Sequence, residues 1–549
     1  LLALTSASLL VSEVALIQNA CAQGQNAERK NLHLLNRISF GPTVQDIADL
    51  NKAGIDAYIR RQLNPNDIDE SPQVADFVRS CDALTKSPID LFRHYGPPAI
   101  MAKGKSSNNS QNAQSQSNNQ PQTKPEKGPK AAARRELFGD ITQQAISARL
   151  LREIESPRQL EEVMTDFWFN HFNVSIDKGL DHIWTGAYEQ QAIRPYVLGK
   201  FRDLLEATSH HPAMLFYLDN WENTAPGSPG AHGNFTGLNE NYARELMELH
   251  TLGVDGGYTQ KDVTELARIL TGLGLPKPKA VRQGMYRGLG PSPVGVARFG
   301  FMNLWRAGAP YVRNYSSGLR INRYGSLFDE DRHDFGDKVL LGHVIHGSGE
   351  HEIEEALDML ASYPATAHHI SYELAQYFVS DEPPESLVNK LTTTFTQTDG
   401  DIKAVINTLL HSKEFWDPSY ENCKYKSPLR YAVSVLRISG VHPSDMHRVQ
   451  GFLNQQGMRL YGCLTPDGYK NTKEAWLNSG ALLQRLSFAT VVGLGRWPGS
   501  NVQQPISYEQ IKGELAGLKF SDKTISSIET ARPAVRTALI LGSPEFMWY

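Results

Sequence analysis

Histidines, carboxylates and carboxamides gather in three separate stretches of this 549-residue chain, each of a composition that could bind a cation or move a proton. The first is Asp166-Phe167-Trp168-Phe169-Asn170-His171-Phe172-Asn173. On a helix Asp166 and Asn170 are i,i+4 neighbours with His171 on the adjacent face, and a histidine braced by a carboxylate is how many metal ligands are held. The same residues also suit a helix-capping histidine packed between Trp168 and Phe172. In the second stretch, 239–274, projection at about 100° per residue puts Leu238, Tyr242, Leu246 and Leu249 on one stripe. Asn241, Glu245 and Glu248 fall on one flank, with Ala243 and His250 on the other. Two carboxylates three residues apart could share a proton or bind a divalent cation, or form a solvated face paired with Arg244 and Arg268. The third stretch is Asp329-Glu330-Asp331-Arg332-His333-Asp334, a turn that suits a metal, a general base or a charged surface.

Other signatures are incomplete. His351-Glu352-Ile353-Glu354-Glu355 opens like a zinc-protease helix but lacks the second histidine. Gly104-Lys105-Ser106 has Ala99 where a phosphate loop needs its first glycine. Gly347-Ser348-Gly349 is too short for a nucleophile elbow. No Cys-x-x-Cys spacing is present, which disfavours thiolate metal sites.

The elements that must position these residues are mainly helices, and the spacing predicts a large multi-helix, bundle-like body. Apolar residues recur at helical spacing in a 31–100 entry module (Leu34, Leu35, Ile38, Ile47, Leu50), a 133–274 core and a 329–549 C-terminal region. Residues 101–132 carry too few apolar side chains to offset the entropy of ordering them and read as a disordered low-complexity loop. Residues 275–328 read as a basic, aromatic loop or β-ribbon. Within 275–325 stand nine Lys or Arg and no Asp or Glu, with aromatics such as Trp305 that could stack on a carbohydrate or acidic polymer. The alternative is a solvated insertion whose aromatics pack on the body. Thr465-Pro466-Asp467-Gly468 is a turn, with proline at its first corner and a glycine tolerant of positive φ.

Composition bounds the function classes. A net charge of -4 with 40% hydrophobic and 21% charged residues describes a globular chain and gives no bulk-charge drive toward nucleic acid. No apolar run after the first twenty residues reaches the roughly 18 needed to cross a bilayer. Residues 1–22 end in Ala20-Cys21-Ala22 and read as a signal peptide, so the expectation is an exported protein: periplasmic, extracellular or at the cell surface. A lipid on Cys21 is the second reading. In that oxidising setting Cys81, Cys423 and Cys463 allow one disulfide, with Cys423 and Cys463 the favoured pair because both flank one helical region.

Taken together, FWFNHFNV at 167–174, NENYARELMELHTLGVDGGYT at 239–259, His333-Asp334, YPATAHHI at 363–370, FVSDEPP at 378–384 and TPDGY at 465–469 resemble the bacterial family called domain of unknown function 1800, over residues 31–549. Leu273 stands where that family usually has Trp. The resemblance implies an exported helical protein, often encoded beside a phosphatase- or sulfatase-like partner. It marks His171, Asn239, Glu240, Asn241, Tyr242, Arg244, Glu245, His250, His333 and Asp334 for testing. The resulting expectation is a hydrolase of an extracellular or periplasmic polymer. His171, His250 and His333 would hold a divalent metal ion that activates water, with Glu245 or Asp334 as base. Asn239, Asn241, Tyr242, Arg244 and Trp305 would bind substrate. The rival is a non-catalytic binding or assembly factor that docks with the phosphatase-like protein or a polysaccharide.

Overall fold

Helices dominate because apolar residues return every three or four positions and polar residues close the ends, whereas strands are two or three residues long. The computed structural model describes residues 26–96, 129–233, 235–276 and 320–549. The expected signal segment, most of the low-complexity loop and Trp305 lie outside them. In helix α1 (26–38) the predicted core residues Leu34, Leu35 and Ile38 are fully buried. Helix α2 (Pro129–Glu155) begins four residues before the predicted end of the loop at 132. It is followed at once by α3 (Gln159–His171), whose Glu161 and Glu162 favour the positive end of the helix dipole.

Almost every side chain of α3 is buried, Leu160, Val163, Met164 and Trp168 completely, so it is a central helix packed on all sides. The apolar side chains around it belong to one contiguous cluster that runs in sequence from Leu32 to Met547. The predicted entry, core and C-terminal regions therefore pack on a shared core.

The central helix also carries charge into that core. The Arg149 guanidinium of α2 meets Glu153 (2.9 Å), Glu189 (3.2 Å) and Asp166 of α3. Arg194 holds Glu162 of α3 through two bonds of 2.7 and 2.9 Å and reaches Glu189 at 3.3 Å. Glu189 opens a π-helical turn, Glu189–Ile193, closed by the Arg194 N–H on the Glu189 carbonyl; such widened turns recur at functional sites. Burial alone would push the Glu189 carboxyl up, but Arg149 and Arg194 hold it below its ordinary range. Glu153 lacks that second cation, and burial, with Asp166 and Glu189 nearby, pushes it up to about 8.

Further along, α4 (Asn241–Glu248) and α5 (Gln260–Ile269) follow each other, and Thr259 and Asp262 form the capping box of α5. Three antiparallel strands come next: β1 (Leu273–Gly274), β2 (Arg320–Ile321) and β3 (Leu327–Phe328), in the order β1-β3-β2. The end of the basic insertion thus forms a short ribbon. Strands β4 (Lys338–Leu340) and β5 (His343–Ile345) make a hairpin. Its corner residues Leu341 and Gly342 both have positive φ, 50° and 83°, as a two-residue turn that follows strand twist requires. The Leu341 N–H donates to Asp262 at 2.7 Å, tying the corner to α5. Helices α6 (Glu350–Ser362) and α7 (Pro364–Phe378) return the chain to the core.

Among the described residues no helix is long and apolar enough to cross a membrane. Cys81, Cys423 and Cys463 are all free thiols, which corrects the expected Cys423–Cys463 bridge. Cys423 instead lies 3.1 Å from the Val379 and Tyr420 carbonyls, and Cys463 packs beside Thr465.

Because Arg149 is the buried cation shared by Glu189, Asp166 and Glu153, Arg149→Met is expected to cost about 3–5 kcal/mol. Arg459→Met, which removes a surface pair with Asp177, is expected to cost less than about 1 kcal/mol. Urea denaturation of the two variants checks this, and equal losses would contradict it.

Candidate functional site

The C-terminal turn of α3 delivers Asn170, His171 and Asn173 to a place where three other segments converge. Asn170 receives the Tyr469 N–H on Oδ1 (2.7 Å) and donates Nδ2 to the Tyr469 carbonyl (2.9 Å). Asn173 donates to the carbonyls of Cys463 (3.2 Å) and Thr465 (2.8 Å). These carboxamides act as a template for the Thr465–Gly468 turn, which closes through the Gly468 N–H on the Thr465 carbonyl. Gly468 sits at φ 65°, and a Cβ there would collide with Asn170. The turn forms as its sequence predicts, and its binding to α3 places Asp467 at the site.

His171 is buried, and both its ring nitrogens face acceptors: Nδ1 meets Glu373 Oε2 at 2.7 Å, and Nε2 meets the His250 carbonyl at 3.1 Å. Each contact therefore uses an imidazole N–H. Glu373 comes from α7, where His369, Glu373 and Tyr377 recur every four residues and share a face. His369 lies 3.7 Å from the other Glu373 oxygen and also meets the Leu249 carbonyl at 3.2 Å. Burial would raise the Glu373 carboxyl, but His171, with His369 and Lys470, holds it below its ordinary range. The His250 ring lies 6.1 Å from that of His171. Burial, together with His171 and His369, drives His250 well below the usual 6.5. It is a neutral imidazole whose Nε2 has no partner.

Two carboxyls complete the cluster, Glu245 half-buried and Asp467 exposed. Burial raises Glu245 on α4, reinforced by Glu248 and Asp467. Asp467 is driven the other way: burial opposes ionisation, but bonds from Lys470 (2.6 Å) and Thr465 prevail and hold it below its ordinary 3.8. The acid and the carboxylate are close enough to perturb each other, yet their environments separate their proton affinities.

His333 and Asp334 belong to a different cluster. The His333 ring is fully enclosed, with Nδ1 at the Thr271 carbonyl and Nε2 at Glu352 Oε1, both 2.7 Å. Lys338 Nζ contacts the second Glu352 oxygen, and the bonds from His333 and Lys338 hold this carboxyl below its usual range despite burial. Asp334 is clamped by Arg268 at 2.8 and 3.2 Å and also accepts the Gly336 N–H. These contacts fasten the β4–β5 hairpin to α5 and α6.

The expected ligand trio is therefore corrected. The structure brings His171 and His250 together and puts His333 elsewhere, and both nitrogens of His171 and of His333 face protein oxygen atoms rather than a shared centre. Among the described residues no group of three or more His, Cys, Asp or Glu side chains is arranged to hold one. Asp334 is likewise no free base, because Arg268 and Gly336 occupy its oxygens. Tyr242 is 1% exposed and belongs to the core. Arg244 binds Gln260 (2.8 Å) and lies 3.6 Å from Glu240, and Asn239 accepts the Asn241 N–H. Asp166 braces Arg149 and Tyr377 rather than His171.

Glu373 and Lys470 escaped the sequence reading, and Asp467 was read only as part of a turn. The i,i+4 spacing of His369 and Glu373 was the available signal.

A family model described as "Protein of unknown function (DUF1800)" matches residues 33–548. No curated protein and no solved structure matches the chain.

His171 and Glu373 join α3 to α7 through a charge-assisted bond. His171→Ala and Glu373→Ala are each expected to cost about 2 kcal/mol, with the double variant falling short of the sum by about 1–2 kcal/mol. A double-mutant cycle by chemical denaturation measures this, and simple additivity would show that the contact contributes nothing.

Proposed function

The chain belongs to the family of domain of unknown function 1800, and we propose that it is an exported hydrolase that cleaves an extracellular or periplasmic polymer by acid–base chemistry at Glu245 and Asp467. The observation that carries this reading is the pair of neighbouring carboxyls, Glu245 half-buried and Asp467 exposed on its turn, whose proton affinities are displaced in opposite directions. Such separation is how one site keeps an acid and a base ready together. Glu245, whose proton affinity burial and the neighbouring carboxyls raise, protonates the leaving group as its bond to the polymer breaks. Asp467, kept ionised by Lys470 and Thr465, takes a proton from the attacking water or attacks directly.

The other residues position these two. Asn170 and Asn173 fix the turn that carries Asp467, and the His171–Glu373 contact fixes the end of α3 that carries the two carboxamides. His369 and Lys470 add positive charge beside Glu373, toward which an anionic or hydroxyl-rich substrate group would orient. The donor set does not fit the metal ion expected from sequence, and no step is routed through one.

The protonation states set the sign of the pH dependence. Activity needs Glu245 protonated and Asp467 ionised. It falls as pH rises through the Glu245 pKa, which lies above 4.5, and falls as pH drops through the Asp467 pKa, which lies below 3.8. An acidic optimum follows.

A panel of polysaccharides and activated glycosides and esters tests the proposal. On a substrate that is turned over, Glu245→Gln and Asp467→Asn are each expected to lower kcat at least about 100-fold, and Glu245→Gln to abolish the alkaline limb. Unchanged kcat in both variants would overturn the assignment. Absence of turnover across the panel, with retention on an immobilised acidic glycan or a phosphatase-like protein, would replace it with the binding or assembly role.

A further inference from the structure

Arg37, on the face of α1 that meets the Asp417–Asn422 turn, is a buried cation that makes no salt bridge with a carboxylate among the described residues. It is 1% exposed. Its Nη2 donates to the Tyr420 carbonyl at 2.6 Å and lies 3.6 Å from Cys423 Sγ, whereas Nε and Nη1 have no partner. One face of the guanidinium rests on the Tyr549 ring, 4.9 Å from its centroid. A buried guanidinium with two unsatisfied N–H groups is costly, and nothing in the hydrolase site accounts for it.

The group it approaches is the thiol best placed to react. Cys423 is half-buried, whereas Cys81 and Cys463 are buried. Asp417 caps the short Pro418–Tyr420 turn, and Asn422, at φ 52°, reverses the chain so that Sγ faces Arg37. Asparagine is among the side chains that most readily adopt this conformation. The thiol also lies 3.1 Å from the carbonyls of Val379 and Tyr420, and its single proton can satisfy only one of them. Partial exposure beside a cation is the setting in which cysteines react as thiolates.

We propose that Cys423 is a peroxide-reactive thiol whose sulfenate form is held by Arg37. In the step, Sγ attacks one oxygen of hydrogen peroxide or an organic hydroperoxide, the S–O bond forms and the O–O bond breaks. The other oxygen leaves as water or alcohol with the thiol proton. Sulfur loses two electrons and the peroxide gains them. The product is the sulfenic acid; its hydroxyl proton then leaves to solvent, and the resulting sulfenate oxygen accepts from the Arg37 guanidinium, whose Nη2 already lies 3.6 Å from Sγ.

The test treats the full chain with stoichiometric hydrogen peroxide, traps sulfenate with a dimedone probe and maps adducts by peptide mass spectrometry. Cys423 is expected to label at least about tenfold faster than Cys81 or Cys463, and Arg37→Met, with its fold verified by circular dichroism, to lower the Cys423 rate at least about fivefold. Equal labelling of the three cysteines, or an unchanged Cys423 rate in folded Arg37→Met, overturns the proposal. If Arg37→Met does not fold, wild-type melting decides. The peroxide-treated protein is expected to melt higher than the reduced one, with no such rise in Cys423→Ser, and a lower melting temperature overturns it.

Discussion

The Arg149 guanidinium is enclosed by the carboxylates of Glu153, Asp166 and Glu189, and Arg194 shares Glu189 and takes Glu162. Tyr461 adds a hydroxyl to Glu189 at 2.9 Å, and Tyr377 one to Asp166 at 3.0 Å. Four segments, around Arg149, Glu189, Tyr377 and Tyr461, are thereby bound to α3. A buried ion network of this kind gives little net stability over a packed apolar core, but removing one member strands the others. Its effect is positional. With Glu162 and Asp166 fixed, α3 can neither rotate nor slide, and His171 one turn beyond Asp166 has one place to stand. The π-helical turn at Glu189 serves the same constraint, because Glu189 and Arg194 lie at its two ends and both remain in the interior.

Charge compensation recurs on a smaller scale in the two histidine clusters. In each, an imidazole with acceptors at both nitrogens joins a backbone carbonyl to a glutamate from another helix: Glu373 for His171 and Glu352 for His333. The clusters differ in their surroundings. Glu352 is sealed, with Lys338 on its second oxygen, and the unit acts as a fastener for the β4–β5 hairpin. Glu373 is 32% exposed at its side chain and lies among His369, Lys470 and the turn that carries Asp467. That openness distinguishes the first cluster from the second, which acts as a joint.

The helical architecture was readable because periodicity survives without tertiary information: Leu34, Leu35 and Ile38, the Thr259 cap and the Thr465–Gly468 turn all appear as the residues dictate. Residue types also drew attention to Asp166–Asn173 and to the stretch holding Glu245 and His250, and the structure brings the His250 ring 6.1 Å from that of His171. Partner choice was not readable. Asp166 was assigned to His171 because it is adjacent in sequence, yet Arg149, 17 residues earlier, claims it. The partner of His171 comes from 202 residues later. Glu352 was visible only as a fragment of a protease motif, and its role at His333 depends on a hairpin whose packing no local pattern encodes. The expected metal trio failed for the same reason. Three histidines in polar stretches look alike until their nitrogens are assigned.

The claim on which the functional account stands is that Glu245 and Asp467 have proton affinities displaced in opposite directions. Carboxyl carbon NMR titration of the protein labelled at Asp and Glu side chains measures it directly, with Glu245→Gln and Asp467→Asn supplying the assignments. The account predicts that Glu245 titrates above 4.5 and Asp467 below 3.8, and that Glu245 moves down when Asp467 is neutralised. Ordinary values for both, or the reverse order, would contradict it.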